Sequence, residues 1–386
     1  MVKPVFADLH VHLGEAPDGR PVKITASSQM TIERVASFAK NAKGLDVIGV
    51  IDAHVPSVQT RVEEKLASSA WTSYHDGGID AGGITLILGV ELELAFHGRL
   101  FHFLAYFKYL DDIKAFTNNY LQTRVKNLTL STQRVYDTPE AVLKAVRVHG
   151  GFGVVAHAFT PFKSLYGNAV ERSIEEVFPK EIPDAVEIGL SADAVMADRL
   201  TELHKFPFLA NSDAHSLENI GREYQELYVQ APTFQGVISA IQNGGVKAYC
   251  GLQPLLGKYY DSACAACGTK LSESAPNSCS FCGSSKVIQG VRHRLEELAC
   301  ENTVEVARPP YIHHVPLKTY PGIGPKRLER LREHVGPDLY VLHEAEEREL
   351  KQVLPNETAA MIARKDVAIE SGAGGTYGKV KRTSSS

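Results

Sequence analysis

ADLHVHLG, residues 7–14, decides how this chain is read. Asp8, His10 and His12 interrupt an apolar run at every second position, which is the period of a β-strand. His10 and His12 therefore share one face. The same chemistry recurs at the ends of later apolar runs: Asp52 and His54 in VIDAHVP (50–56), Glu91 in LGVELE (88–93), His102 in LFHFLAYF (100–107), His157 in VVAHAF (154–159), and Asp213 with His215 in NSDAH (211–215). In a barrel or open α/β sheet, the carboxyl ends of parallel strands converge on one face. Imidazoles and carboxylates gathered there are the ligands of Zn²⁺, Mn²⁺ and related ions. The series predicts two or three catalytic divalent metals (Zn²⁺, Mn²⁺ or Mg²⁺), which suits hydrolysis by in-line displacement. A lone strand histidine is more often packed than ligating, and His75, His97, His149, His204, His293, His334 and His343 are given no role.

The surrounding pattern is α/β. Up to about residue 250, strand candidates such as LDVIGVID (45–52), GITLILGVELEL (83–94), RLFHFLAYF (99–107), DAVEIGL (184–190) and FPFLANSD (206–213) alternate with amphipathic helices. Thr31 begins one helix that stops before Gly44. Thr138-Pro139 opens another that ends near Gly150-Gly151. Phe234–Gln242 reads as a closing helix.

The order HxH, Asp-x-His, GxE, a strand His, AH and SDxH resembles the PHP (polymerase and histidinol phosphatase) domain. That resemblance implies a distorted seven-stranded β/α barrel with a trinuclear metal site. It makes His10, His12, Glu91, His102, His157 and Asp213 the ligands of one metal pair, with Glu91 bridging, and gives a third site to His54 and His215. Asp213, Glu91 and His10 would be the catalytic core. Ala53 separates Asp52 from His54, where the family has adjacent Asp-His; this leaves the ligand role of Asp52 open.

Beyond residue 250 the chemistry changes. Cys264, Cys267, Cys279 and Cys282 form CAAC–x11–CSFC, the spacing of a four-thiolate structural Zn²⁺ site. KTYPGIGPKRLERL (318–331) follows, and resembles a helix-hairpin-helix. Gly322 and Gly324 would let the backbone approach a phosphate, with Lys326 and Arg327 adding charge. The net charge of −4 hides a gradient, since residues 1–250 carry −6 and residues 251–386 carry +2. Lys379, Lys381 and Arg382 make a second basic cluster in a Gly/Ser-rich tail that composition predicts to be mobile unless a ligand orders it. The expected division is a catalytic PHP domain at 1–250, a zinc ribbon at 251–290, and a helical DNA-binding region at 291–386.

These parts together, with AHAFTPFKSLYG (156–167) and the Gly-Gly-x-Tyr-Gly-Lys tail, are similar to the endonuclease Q family over nearly the whole sequence. The resemblance implies a DNA-repair endonuclease. It would cut 5′ to deaminated bases (uracil, hypoxanthine, xanthine) or abasic sites, with the base flipped into a pocket read by Ser191 and Asn211. Backbone contacts would come from Gly322, Gly324, Lys326, Arg327 and Lys379. Two rival readings are a PHP phosphomonoesterase acting on a small metabolite and a non-catalytic DNA-binding scaffold. The start of the chain shows no basic-then-apolar leader and no run spans a bilayer, so a cytoplasmic location without membrane partners is expected. A sliding clamp is a conceivable recruiting partner that no motif marks.

Overall fold

The structure, a computed structural model, describes residues 3–271, 278–300, 306–365 and 367–381. Its centre is one curled sheet. The strands are β1 (Lys3–Val11), β2 (Val47–Val50), β3 (Thr85–Phe96), β4 (Arg99–Phe107), β5 (Phe152–Val155), β6 (Ala185–Glu187), β7 (Phe208–Leu209), β8 (Tyr224–Val229), β9 (Val246–Leu252) and β10 (Tyr311–His314). They lie in the order β10-β9-β8-β1-β2-β3-β4-β5-β6-β7. This path holds more strands than the seven expected, because β8, β9 and β10 extend the sheet beyond β1. The pairs β1–β2, β2–β3, β5–β6 and β6–β7 are parallel, while β3–β4–β5 run antiparallel.

Local chemistry explains the joints. His97 and Gly98, with φ of 46° and 79°, make the left-handed two-residue turn that suits the twist of the β3–β4 hairpin. At Gly49 in β2, an added Cβ would meet Leu9 O at 2.2 Å, so only glycine lets β2 lie this close to β1. The helix after Thr31 runs Ile32–Phe38 and widens over Ala39–Lys43 before Gly44 ends it at φ 84°. Pro139–Val148 starts with Thr138 accepting a hydrogen bond from Ala141 N.

The curl closes at the functional end. After β7 the chain crosses to β1, where His12 N donates to Ala214 O (3.0 Å) and Ala214 N to His10 O (3.1 Å). NSDAH is thereby stitched beside HVH. Buried Val, Ile, Leu and Phe from β1 to β9 fill the interior beneath, with Ile312 of β10 packed at its edge.

The appended units depart from the expected boundaries. β9 continues to Leu252, and β10, taken from the Pro-rich connector, pairs in parallel with it. The helix Val291–Leu298 packs Val291, Leu295 and Leu298 into the barrel core rather than into the C-terminal unit. Between them, Ser262–Cys264 pairs with Lys270–Leu271 and Val287–Ile288 to form the ribbon. The helical unit has its own core, including Leu328, Leu331, Val341, Leu350 and Ile362. A charged seam joins it to the barrel: Asp338 accepts from Lys43 Nζ (2.7 Å) and from Arg332 Nε (2.8 Å), and Arg332 Nη2 reaches Glu218 (2.8 Å).

Residues 371–381 of the tail are packed against the rest of the molecule. Gly372 N donates to Leu255 O (2.8 Å), Gly378 N to Leu256 O (3.0 Å), and Glu370 pairs with Lys379. Added Cβ atoms at Gly372 and Gly378 would stand 2.4 and 2.5 Å from carbonyl oxygens. The glycines therefore serve close packing, which composition alone reads as mobility. Arg382, in the second basic cluster, lies outside the described residues.

Candidate metal centre

Strand ends deliver the ligands. His10 and His12 leave β1, Glu91 points inward from β3, His102 from β4, His157 follows β5, and Asp213 follows β7. They assemble as two groups, His10/His12/Asp213 and Glu91/His102/His157, each with ligand atoms within 4.8 Å of one another. Glu91 stands between them. Its Oε1 lies 2.8 Å from His102 Nδ1 and 3.6 Å from His10 Nε2, and its Oε2 lies 3.4 Å from His12 Nε2. Asp213 Oδ1 lies 3.4 Å from His10 Nε2 and 3.5 Å from His12 Nε2. His157 and Asp213 hold left-handed backbone, φ 28° and 47°, a cost that functional sites tolerate when the surroundings enforce it.

The donor set fits divalent ions. The Nε2 atoms of His10 and His12 are buried without a hydrogen-bond partner, although buried polar atoms are normally paired. Negative charge is dense around them. Burial alone would depress His10, yet Glu187, Asp213 and Glu91 raise it to about 9. Burial and Lys23 both oppose protonation of His12, yet Asp52 and Asp213 raise it to about 10. A pocket that recruits protons to this degree recruits cations for the same reason. Ions held there would act as Lewis acids and lower the pKa of water for attack on phosphorus.

Carboxylates behind the ligands set their orientation. Glu187, fully buried on β6, accepts from His10 Nδ1 at 3.0 Å and from His157 N at 3.0 Å. Asp52 accepts from His12 Nδ1 (3.0 Å) and Leu13 N (2.8 Å). Such partners fix the tautomer and direction of a ligating imidazole. His12 and burial act in opposite directions on Asp52: burial pushes it up, and His12 with Lys23 brings it down to about 2. Asp8 bonds to the backbone N–H groups of His10, Ser212 and Gly221, so it braces the site rather than facing it.

Neither His54 nor His215 joins a three-ligand group among the described residues. His54 Nε2 lies 3.3 Å from Leu130 O. His215 sits against Asp213, with Nδ1 3.0 Å from its carbonyl, and burial pushes the imidazole down to about 4.

A cavity of about 470 Å³ opens over the metal groups, with Phe162, Lys163, Ser191, Arg222, Lys258 and Tyr377 among its walls. That volume is in the usual range for a bound small molecule or nucleotide. Arg222 pins the tail to the site, donating from Nε to Ser212 O (2.8 Å) and from Nη1 to Tyr377 Oη (3.0 Å). Ser191 is at the wall. Asn211 is fully buried, and its amide is engaged with the scaffold: Nδ2 donates to Glu187 (2.8 Å), and Oδ1 accepts from Leu9 N (2.9 Å) and Gln225 Nε2 (3.1 Å). Asn211 thus braces Glu187, and like Ser191 it lines the cavity.

The ribbon cysteines converge, with Cys264 and Cys282 sulfurs 3.6 Å apart and Cys267 and Cys279 sulfurs 3.7 Å apart. All four lie within 4.8 Å, as a closed tetrahedral site requires. In the helical unit, Gly322 is left-handed at φ 84°, and Gly324 precedes the helix Pro325–His334. Space beside Gly324 is open, and Lys326 is exposed. Arg327 is exposed too, but its Nη1 folds back to Gly322 O (2.6 Å).

Residues 195–246 match the family described as PHP-associated. The uncharacterized protein YqxK of Bacillus subtilis is 44% identical over 98% of this chain and all of its own length. The lesion-specific endonuclease PfuEndoQ from Pyrococcus furiosus has a similar structure: TM-score 0.83, 29% identity, 98% of this chain and 95% of that one. The chain belongs to one family with YqxK, and over nearly its whole length its structure resembles endonuclease Q. An endonuclease Q in complex with a 27-mer duplex substrate carrying an abasic lesion at the active site also superimposes, with TM-score 0.85, 28% identity and 99% of this chain matched to 97% of that one. The residues near the metal groups that sequence reasoning missed are Glu187 and Lys23. Glu187 sits in DAVEIGL, at the inward position of a strand already recognised. Lys23 Nζ lies 3.0 Å from Glu91 Oε2, and no motif surrounds it.

Proposed function

We propose that this protein is a metal-dependent DNA endonuclease that hydrolyses a phosphodiester beside a damaged nucleotide. Deaminated bases (uracil, hypoxanthine, xanthine) and abasic sites are its substrates. The observation that carries the reading is the pair of adjacent metal-ligand groups whose His102, His157 and Asp213 line the cavity walled by Ser191, Arg222 and Tyr377. A base buried in a duplex stack reaches such a cavity only by extrusion. Ser191 offers a hydroxyl to its edge, and Arg222 and Lys258 offer charge to the flanking phosphates. Glu91, His10 and Asp213 organise the metal face on which the phosphate is presented. Gly322, Gly324, Lys326 and Arg327, with Lys379 of the tail, hold the duplex backbone away from the lesion. A small-metabolite phosphatase would have no use for these last residues or for the ribbon.

The test is a gel assay on matched undamaged, deoxyuridine, deoxyinosine and abasic duplexes, with the cut mapped, beside p-nitrophenyl phosphate. A single cut 5′ to each lesion is the expected result. Turnover of p-nitrophenyl phosphate with intact duplexes would overturn the reading in favour of a phosphomonoesterase.

A further inference from the structure

We propose that Asn219 holds a phosphate of the damaged strand beside the one being cut, and that Lys318 of the hairpin unit is the positioning residue that turns the Asn219 amide towards it. The inference rests on the DNA-endonuclease reading and adds a contact in the same cavity.

Asn219 closes a short helical turn, Leu217–Asn219, on the loop that follows NSDAH. The loop is tied internally and to the barrel: Asn219 N donates to Ser216 O (3.0 Å), Arg222 N to Asn219 O (3.2 Å), and Gly221 N to Asp8 Oδ2 (2.9 Å). The helical unit grips it from the other side. Arg332 donates to both oxygens of Glu218, at 3.0 and 2.8 Å, and Lys318 Nζ donates to Asn219 Oδ1. Lys318 lies in the turn Leu317–Thr319, just before Pro321-Gly322, and Arg332 is on the helix after them. Both flanks of the hairpin therefore reach the loop that leads away from Asp213.

The lysine decides which way the amide faces. Burial of part of its length, then the charges of Arg222 and Lys43, pull the Lys318 ammonium down to about 8, which leaves it protonated at pH 7. An ammonium has donors and no acceptor. The amide atom against it must be the oxygen, so Nδ2 is turned away. Among the described residues no acceptor takes that Nδ2. The side chain is half-buried and belongs to the cavity wall, together with Arg222, Lys258 and Asp213.

The company of this donor selects an anion. Arg222 gives its protons to Ser212 O, Asp213 O and Tyr377 Oη, and Lys258 Nζ stands over the Tyr259 ring at 5.2 Å. Neither cation is in an ion pair among the described residues. Two cations without a carboxylate, beside a fixed neutral donor, suit a phosphate oxygen. A polynucleotide presents one phosphate to the metal groups and carries another next to it, which a small phosphomonoester lacks. The hairpin unit thus orients the donor in the cavity through the same segment that leads into its own backbone grip.

The experiment uses the full-length holoenzyme and deoxyuridine duplexes in which each phosphate near the lesion in turn, the scissile one excepted, is a neutral methylphosphonate. At one position the neutral linkage should raise the wild-type KM about tenfold or more, with kcat within about twofold. At that position it should cost Asn219→Ala and Lys318→Met clearly less, because the contact is already gone. Lys318→Arg, which also presents only donors, should keep the wild-type loss. Circular dichroism confirms that each variant is folded. If the Asn219→Ala loss multiplies with every methylphosphonate, or vanishes on an abasic duplex, Asn219 braces the loop or reads the base and the proposal falls. Wild-type coupling in Lys318→Met overturns the positioning role. A wild-type protein that leaves the unmodified duplex uncut overturns the DNA reading as well, whereas cutting without any coupled phosphate overturns this inference alone.

Discussion

Replacing Glu187 with glutamine tests whether a buried carboxylate that touches no substrate governs the metal site. Glu187 accepts from three donors: His10 Nδ1 at 3.0 Å, His157 N at 3.0 Å and Asn211 Nδ2 at 2.8 Å. Glutamine has the same shape but one acceptor oxygen, and its amide nitrogen must face a donor. At least one of the three then loses its acceptor in a site that is 0% exposed, at a cost of about 1–3 kcal/mol. The lost negative charge adds to this, because Glu187 favours a cation at His10. At ~1.4 kcal/mol per tenfold, metal affinity should fall by roughly 10–100-fold, which matches the usual effect of losing a partner behind a ligating histidine. The assay is competition for Zn²⁺ or Mn²⁺ against a chromophoric chelator, with circular dichroism as a control for folding. Wild-type affinity in a folded Glu187→Gln protein would refute the orienting role and leave Glu187 a packing residue.

Asn211→Ala should act through the same network. Equal losses on uracil, hypoxanthine and abasic duplexes are expected from the brace, and a loss confined to the two bases would assign Asn211 to base reading. At the seam to the helical unit, burial pushes Asp338 up, but Lys43 and Arg332 hold its carboxyl below its ordinary value. A depressed carboxylate stabilises above its unfolded pKa of about 4 and loses that contribution as pH falls through its folded value. Amide exchange over residues 325–364, corrected for intrinsic rates, should therefore accelerate below about pH 4 in the wild type. Asp338→Asn should cost about 3 kcal/mol at pH 7 and remove this pH dependence; an Asn variant with the wild-type profile would exclude Asp338 as the titrating group. Cys264→Ser should release the ribbon zinc and weaken DNA binding, while hydrolysis of bis(p-nitrophenyl) phosphate persists; loss of that hydrolysis in a protein still folded at its barrel would mean the ribbon serves the chemistry. Lys326→Ala should weaken binding alike on all duplexes and reduce the salt slope by about one unit, whereas an unchanged slope would remove Lys326 from the backbone contacts.

What could be read in advance follows from distance along the chain. His10 and His12, or Asp213 and His215, announce themselves because both members lie within three residues and strand periodicity fixes their faces. The four-cysteine ribbon is legible for the same reason: each half of CAAC–x11–CSFC is a local hook. The supports of the site have no such signature. Glu187 meets His10 across 177 residues, and Lys23 meets Glu91 across 68. Only closure of the sheet brings them together, so nothing near either residue marks it. Asn211 shows the same limit from the other side. Its inward position two residues before Asp213 was legible, but its contacts with Glu187 and Gln225 were not, because those residues come from other strands. The tail illustrates a third case. Glycine content signals mobility when nothing is nearby, yet here Gly372 and Gly378 lie against carbonyl oxygens at distances no side chain allows. Composition fixes what a backbone can do, and the neighbours decide which of its options is used. That is why the histidines and carboxylates that cluster here could be picked out from sequence, while the residues that aim, neutralise and brace them had to be seen in place.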